Sequence, residues 1–299
     1  MEIIDFEFPF NQKFDDKIVL CLGFFDGVHI GHQKLIEKAK SYGFKVGILT
    51  FDNSPKIVLG QKKLNNYICS NADKAEYFEE LDIDYFFLMH FDKEVARLTK
   101  DEFIDGFIKK IDPIKILIGE EYTFGARGEG NPRYLKNYFD VDIVDFYKIN
   151  GNKVSSRTIC DDIEKGKIEE ANSLLGRPYR ISGLVVEGNK MGHSIEFPTA
   201  NLELDFPYVF PGYGVYMGYA YVNDKKFKSL IIVGMHKNYL QIPLPVIEVH
   251  LLNFVGNLYY KDINIEFISR LRDKKDFLSS DLLIEQIEKD LLFVEKNLK

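Results

Sequence analysis

Over the first half of the chain, short apolar runs alternate with longer segments of mixed polarity. The runs are Ile18–Leu22, residues 44–51, Tyr85–Met89, and residues 114–118 and 141–147. Each has the length of a strand buried on both faces. Between them, residues 33–40 and 71–81 read as helices. Thr99 and Glu102 form a capping-box pattern ahead of Phe103, Ile104, Phe107 and Ile108, which recur at helical intervals. Strands alternating with helices predict a parallel sheet flanked by helices, an α/β layer structure that binds ligands at the carboxyl ends of its strands.

The texture changes after Gly176-Arg177-Pro178-Tyr179, a glycine and proline stop signal behind a helical stretch. Beyond it, strand-like runs dominate at residues 180–186, Gly214–Val222, 227–233, 246–254 and 263–268, with turn signals such as Pro211-Gly212 and Asn223-Asp224 between them. That spacing predicts a small antiparallel β-barrel. Ser280 is expected to cap a final amphipathic helix whose stripe of Leu283, Ile287, Leu291 and Val294 faces the core. The division expected is residues 1–179 and residues 180–299.

Composition narrows the classes. The chain has 299 residues, enough for two domains, and 45% hydrophobic with 14% aromatic residues can fill two cores. A net charge of −7 disfavours a nucleic-acid or anionic-membrane surface, while leaving room for small phosphate ligands. The three cysteines, Cys21, Cys69 and Cys160, show no CxxC spacing, so neither a zinc knuckle nor a disulfide framework is indicated. No run approaches a membrane span, and the first ten residues lack a basic leader region. A cytoplasmic protein without membrane, nucleic-acid or obligatory protein partners is expected.

Candidate chemistry begins directly after the first strand, in Gly23-Phe24-Phe25-Asp26-Gly27-Val28-His29-Ile30-Gly31-His32. Glycines let the backbone approach an anion, and the N–H groups of the following helix face it. His29 and His32 add donors whose charge responds to phosphate. The pattern G-x-F-D-x-x-H-x-G-H resembles the nucleotidyltransferase HxGH signature, which implies transfer of a nucleotidyl group from a nucleoside triphosphate. Two further stretches follow strands. Gly119 to Gly130, with Phe124, Gly125 and Arg127, reads as a surface loop or as a seat for a planar ring and a phosphate. Val154-Ser155-Ser156-Arg157 reads as a helix cap or as a second anion grip.

In this order, together with Ala171-Asn172-Ser173-Leu174-Leu175-Gly176-Arg177-Pro178-Tyr179, these stretches resemble the bacterial bifunctional riboflavin kinase/FAD synthetase family over nearly the whole chain. The resemblance implies a Rossmann-like nucleotidyltransferase domain that adenylates FMN, followed by a riboflavin kinase-like barrel. ATP, riboflavin and FMN would be the substrates and Mg²⁺ the metal. Gly23, Phe25, Asp26, Gly119, Phe124, Gly125, Arg127, Ser155, Ser156 and Arg157 would then line the first site around His29 and His32. In the second half, Gly188-Asn189-Lys190-Met191-Gly192 would be the ATP loop, with Gly188, Lys190 and Gly192 its binding residues. Phe197-Pro198-Thr199-Ala200-Asn201, structurally a turn closing a strand, would supply Thr199 and Asn201 to the metal and phosphates. Glu248, in Ile247-Glu248-Val249-His250-Leu251, otherwise a solvent-facing strand position, matches the family's general base. Arg272 falls in the segment near the flavin.

The chain departs from the family at several of these positions. Asn53-Ser54-Pro55-Lys56 stands where a histidine-bearing loop is usual, Glu121 where Asp or Asn is usual, and Cys160 where Arg is usual. An arginine stands three residues earlier, at Arg157, on roughly the same helix face. His193, Glu196, residues 237–239 and Asn253 also differ. The alternatives are a chain in which one activity alone is retained, or a flavin- or nucleotide-binding regulator.

Overall fold

The computed structural model describes residues 1–60, 66–149, 151–187, 198–237 and 243–299. Two compact units divide the chain, Met1–Asn65 with Cys69–Ser156, and Asn66–Ile68 with Arg157–Lys299.

The first unit is built on a six-stranded, wholly parallel sheet. Its strands are β1 (Glu2–Phe6), β2 (Ile18–Leu22), β3 (Lys45–Phe51), β4 (Tyr85–Met89), β5 (Lys115–Gly119) and β6 (Val141–Val144), in the order β1-β4-β3-β2-β5-β6. All five residues of the central β2 are buried. Ile18, Leu20 and Leu22 pack into the core on one face of the sheet, and Val19 and Cys21 into that on the other. This explains an uninterrupted apolar run. The pattern of apolar runs contains no strand before Ile18, yet Glu2–Phe6 forms the edge of the sheet. Only Ile4 in it is buried, and the exposed Glu2 and Asp5 mask its periodicity while guarding the edge.

The helices of this unit are α1 (Ile30–Lys40), α2 (Pro55–Val58), α3 (Asn71–Glu80), α4 (Lys100–Phe103), α5 (Lys109–Ile111) and α6 (Pro132–Leu135). The Thr99/Glu102 capping box opens α4 as expected, and Ser70 with Asp73 makes another at α3. Between α4 and α5 the chain takes a π-helical turn, Ile104–Ile108, which keeps Phe103, Ile104, Phe107 and Ile108 buried. A two-residue hairpin, β7 (Lys148–Ile149) and β8 (Asn152–Lys153), follows the sheet.

In the second unit α7 (Ser156–Glu164) and α8 (Ile168–Leu175) lead into a closed antiparallel barrel. Its strands are β9 (Tyr179–Val186), β10 (Ala200–Glu203), β11 (Gly214–Val222), β12 (Lys225–Lys237), β13 (Pro243–Leu251) and β14 (Asp262–Arg272), closing in the order β10-β13-β12-β11-β14-β9. The expected stop at Gly176 is a left-handed C-cap with φ 76°. Ile159, Ile163, Ile168, Ala171 and Leu175 join the barrel's interior core, so this unit begins well before residue 180. Ala200 and Asn201 lie in a strand rather than in a turn: four-residue β10 pairs with both β9 and β13 and completes the barrel. A strand this short has too little alternation to register in the sequence.

The final helix, α9 (Ser280–Asn297), is capped by Ser279 rather than Ser280; the Ser279 hydroxyl accepts the Leu282 N–H at 3.4 Å. Leu291, Val294 and Leu298 pack against Val215, Tyr219 and Leu230 on the outside of the barrel. One ion pair fixes the other edge of the helix. Arg272 at the end of β14 donates from Nε and from a terminal nitrogen to the Asp290 carboxylate, at 3.0 and 2.7 Å, with both side chains largely buried. Asp290→Ala would strand a buried guanidinium and should lower the unfolding free energy of the barrel unit by about 3–5 kcal/mol, read from urea melts.

Candidate active sites

The turn between β2 and α1 is built from backbone that most side chains avoid. Phe25, Gly27 and Val28 have φ of 53°, 78° and 39°. Side chains from several elements hold them there. The Thr50 hydroxyl, near the end of β3, donates to the Phe24 carbonyl at 2.8 Å. Cys69 accepts the Gly27 N–H on its sulfur at 3.1 Å, and its own N–H donates to an Asp26 carboxylate oxygen at 3.4 Å. The Ser156 hydroxyl donates to the Asp26 carbonyl at 2.9 Å. Gln33 reaches back from α1 to the Val28 carbonyl at 2.9 Å.

This arrangement delivers His29 as the N-cap of α1, its Nδ1 accepting the His32 N–H at 3.3 Å. The two imidazoles stack with centroids 3.6 Å apart, and the Phe25 ring lies 5.0 Å from His32. His29, Asp26 and Phe25 are buried, while Gly23 and His32 are half-buried. Paired imidazoles over a helix N-terminus are suited to an anion, since the N–H groups and the dipole there favour negative charge.

β5 ends beside β2, with Ile118 opposite Leu22, so its last residue, Gly119, lies next to Gly23. The loop after it is closed by paired backbone hydrogen bonds between Phe124 and Gly130. Phe124 is buried, with its ring 5.4 Å from that of Phe103, so it packs the loop onto the core. Gly125 has φ 73° and Arg127, exposed, has φ 54°. Glu121 is ion-paired to Lys153 at 2.7 Å. Ser155 and Ser156 are half-buried, and Arg157 is exposed in the first turn of α7. Cys160 packs against the barrel core, which is why a hydrophobic thiol is tolerated there.

Two groups at this end of the sheet are barely legible in the chain's local pattern. His90, just past β4, bonds through Nδ1 to Asp52, just past β3, at 2.5 Å. Asp52 also accepts the Phe91 N–H at 2.8 Å. The carboxylate raises the His90 pKa above its ordinary value. Lys74 of α3 is buried beneath the turn, 4.3 Å from the Phe24 ring centroid. Its one visible signal is a lysine four residues before Phe78, on the buried face of α3.

On the barrel, Asn201 and Glu248 face each other as paired residues of β10 and β13. The Thr199 hydroxyl lies 3.4 Å from a Glu248 carboxylate oxygen. His250, two residues along the same face, contacts the Pro198 carbonyl through Nδ1 at 2.9 Å. An open cleft of about 400 Å³ continues from there, lined by His250, Leu252, Asn253 and, from α9, Glu288, Leu291 and Leu292. Arg272 is occupied by Asp290 and by the Asp273 carbonyl. Gly188, Lys190 and Gly192, with His193 and Glu196, lie outside the described residues.

Comparisons with known proteins match both halves. The FAD synthetase family model covers residues 11–158, and the riboflavin kinase family model covers residues 175–298. A bifunctional riboflavin kinase/FMN adenylyltransferase of Listeria monocytogenes is 34% identical over 91% of this chain and 90% of its own. A protein of the same name from Escherichia coli K12 is 31% identical over 94% and 93%. The crystal structure of a macrolide-efflux protein from Streptococcus pneumoniae superposes with a TM-score of 0.91 at 30% identity, covering 99% of each chain. Among the described residues no helix is long and apolar enough to cross a membrane.

The His90–Asp52 pair sets a pH dependence. Because the folded-state pKa of His90 is raised, its stabilisation is complete below the ordinary imidazole pKa and disappears as pH rises through the raised value. An NMR titration should place the His90 midpoint above about 6.5, and Asp52→Asn should return it toward that value.

Proposed function

The chain belongs to the bifunctional riboflavin kinase/FMN adenylyltransferase family, phosphorylating riboflavin to FMN and adenylating FMN to FAD with ATP, and from this premise we propose how its residues divide the two reactions. The adenylyl-transfer site draws its residues from 1–179 and the phosphoryl-transfer site from 180–299. The observation that carries the reading is the contrast between the two clusters. One is a pair of imidazoles over a helix N-terminus, and the other holds a carboxylate beside a hydroxyl and an amide.

That contrast matches the nucleophiles. FMN attacks the α-phosphorus of ATP with a phosphate oxygen that is already ionised, so no base is needed. What the site must do is neutralise charge that grows on the departing pyrophosphate. His29 and His32 serve that need, with Asp26, Phe25 and Gly23 shaping the turn. Gly119, Phe124, Gly125 and Arg127 form the adjoining loop, and Ser155, Ser156 and Arg157 supply further anion contacts. Riboflavin attacks the γ-phosphorus with a neutral alcohol, whose proton must leave as the new P–O bond forms. Glu248 takes that proton.

Thr199 and Asn201 offer neutral oxygen donors beside the Glu248 carboxylate. This set fits a hard cation such as Mg²⁺ brought in on ATP phosphates better than a resident metal held by a protein cage. When bound, Mg²⁺ offsets charge on the transferring phosphoryl group. Gly188, Lys190 and Gly192 would cover the nucleotide. The cleft between β13 and α9 adjoins Glu248 along one strand face and has the volume and apolar wall suited to a flavin ring. Arg272 then acts by holding α9 at the cleft wall through Asp290. Free thiols at Cys21, Cys69 and Cys160 support a cytosolic location.

Separation of flavins after incubation with ATP and Mg²⁺ tests the division. Glu248→Ala should cut FMN formation by about 100-fold or more while supplied FMN still becomes FAD. His29→Ala should lower FAD formation by about 100-fold and leave riboflavin phosphorylation intact. Loss of both steps from either substitution would rule out two separate sites.

A further inference from the structure

Lys74 is 1% exposed, so its side chain lies within the fold rather than in solvent. It instead sits over the face of Phe24, the second residue of the turn, at 4.3 Å from the ring centroid. The charged or titratable groups that act on it through space are Asp26 in the turn itself, Cys69 in the segment before α3, and Asp52 just past β3. Asp52 is in turn bonded to His90. Burying an ammonium is costly, and a helix needing only an apolar residue at this position would be better served by methionine or leucine. The cation is thus retained at the back of a turn that holds three consecutive-region residues, Phe25, Gly27 and Val28, at positive φ.

We propose that Lys74 is a positioning residue for adenylyl transfer, its buried ammonium holding the Phe24 ring from behind and so fixing the turn that presents His29 and His32 to the ATP phosphates. The role rests on the assignment of adenylyl transfer to that turn. Lys74 touches no substrate in this scheme; it acts through Phe24 by cation–π attraction and through Asp26 by charge. The neighbouring Thr50, Cys69, Gln33 and Ser156 hold the turn through neutral hydrogen bonds, apart from the Cys69 N–H bond to the Asp26 carboxylate. Lys74 is the cation of the set, and its hold fades as it loses its proton. Burial lowers the Lys74 pKa from the ordinary lysine value, while Cys69, Asp26 and Asp52 oppose the fall. As pH rises through the lowered value the grip is lost. Arginine in its place would stay charged.

The test uses the full chain and follows FMN to FAD, with riboflavin phosphorylation in the same molecule as the internal control. Lys74→Met should lower kcat for FAD formation by about 100-fold, with the KM for FMN changed by less than about 3-fold and the kinase step unaffected. Lys74→Arg should restore most of the rate and move the alkaline limb of the pH profile upward. A Lys74→Met protein with wild-type kcat would overturn the proposal, as would a Lys74→Arg limb that coincides with that of wild type. Should Lys74→Met fail to fold, the Lys74→Arg limb alone decides. If the wild-type chain makes no FAD, the assignment beneath the proposal fails, and the role falls with it.

Discussion

The first unit depends on holding one turn in a conformation its residues would not choose. Phe25 and Val28 carry side chains at positive φ, which costs on the order of 1–3 kcal/mol each. Hydrogen bonds from Thr50, Cys69, Gln33 and Ser156 offset that cost at about 1 kcal/mol apiece. None of these partners is adjacent in sequence to the residue it supports. The turn therefore exists only once β3, α1, the segment before α3 and the start of α7 have assembled. For the proposed anion site this means no rearrangement on binding, because the helix N-terminus and both imidazoles are already in place.

The second unit reaches its site by a different route. No unusual backbone is required at Thr199, Asn201 and Glu248; strand register does the work. Pairing Asn201 with Glu248 across β10 and β13 brings donors from positions 47 residues apart onto one outer face, and a one-residue slip would turn them to the other side. Val249 and Ile247, alternating with Glu248, fill the barrel interior and fix that register through burial. α9 closes over the same outer face, pinned by Arg272 and Asp290. Each unit thus makes its polar site a consequence of its apolar core.

Several features were legible because they are local. The buried runs of β2 to β5, the Thr99 capping box and the Gly176 stop each depend on a few neighbouring residues. The imidazole pair was legible because a helix N-terminus brings residues three apart together. Edge strand β1 and four-residue β10 were not, since exposed charges mask one and brevity hides the other. The cap of α9 is Ser279, one residue before the Ser280 the pattern predicts, because either serine could cap and only the extended backbone of Ser279 places it at the cap. Arg272 could be matched to a flavin segment, but its engagement with Asp290 depends on where α9 docks.

The two architectures and the kinds of chemistry available are written locally along the chain, because apolar period, glycine and proline stops and short motifs act over a few residues. The tertiary structure alone decided which side chains share a site. Lys74 reads as one more helical lysine until α3 packs beneath the turn, and His90 and Asp52 are ordinary loop residues until β3 and β4 lie side by side. At Gly23 to His32 both kinds of information meet. The local sequence makes an anion site possible, and contacts from 26 or more residues away through Thr50 and beyond hold its backbone in one conformation.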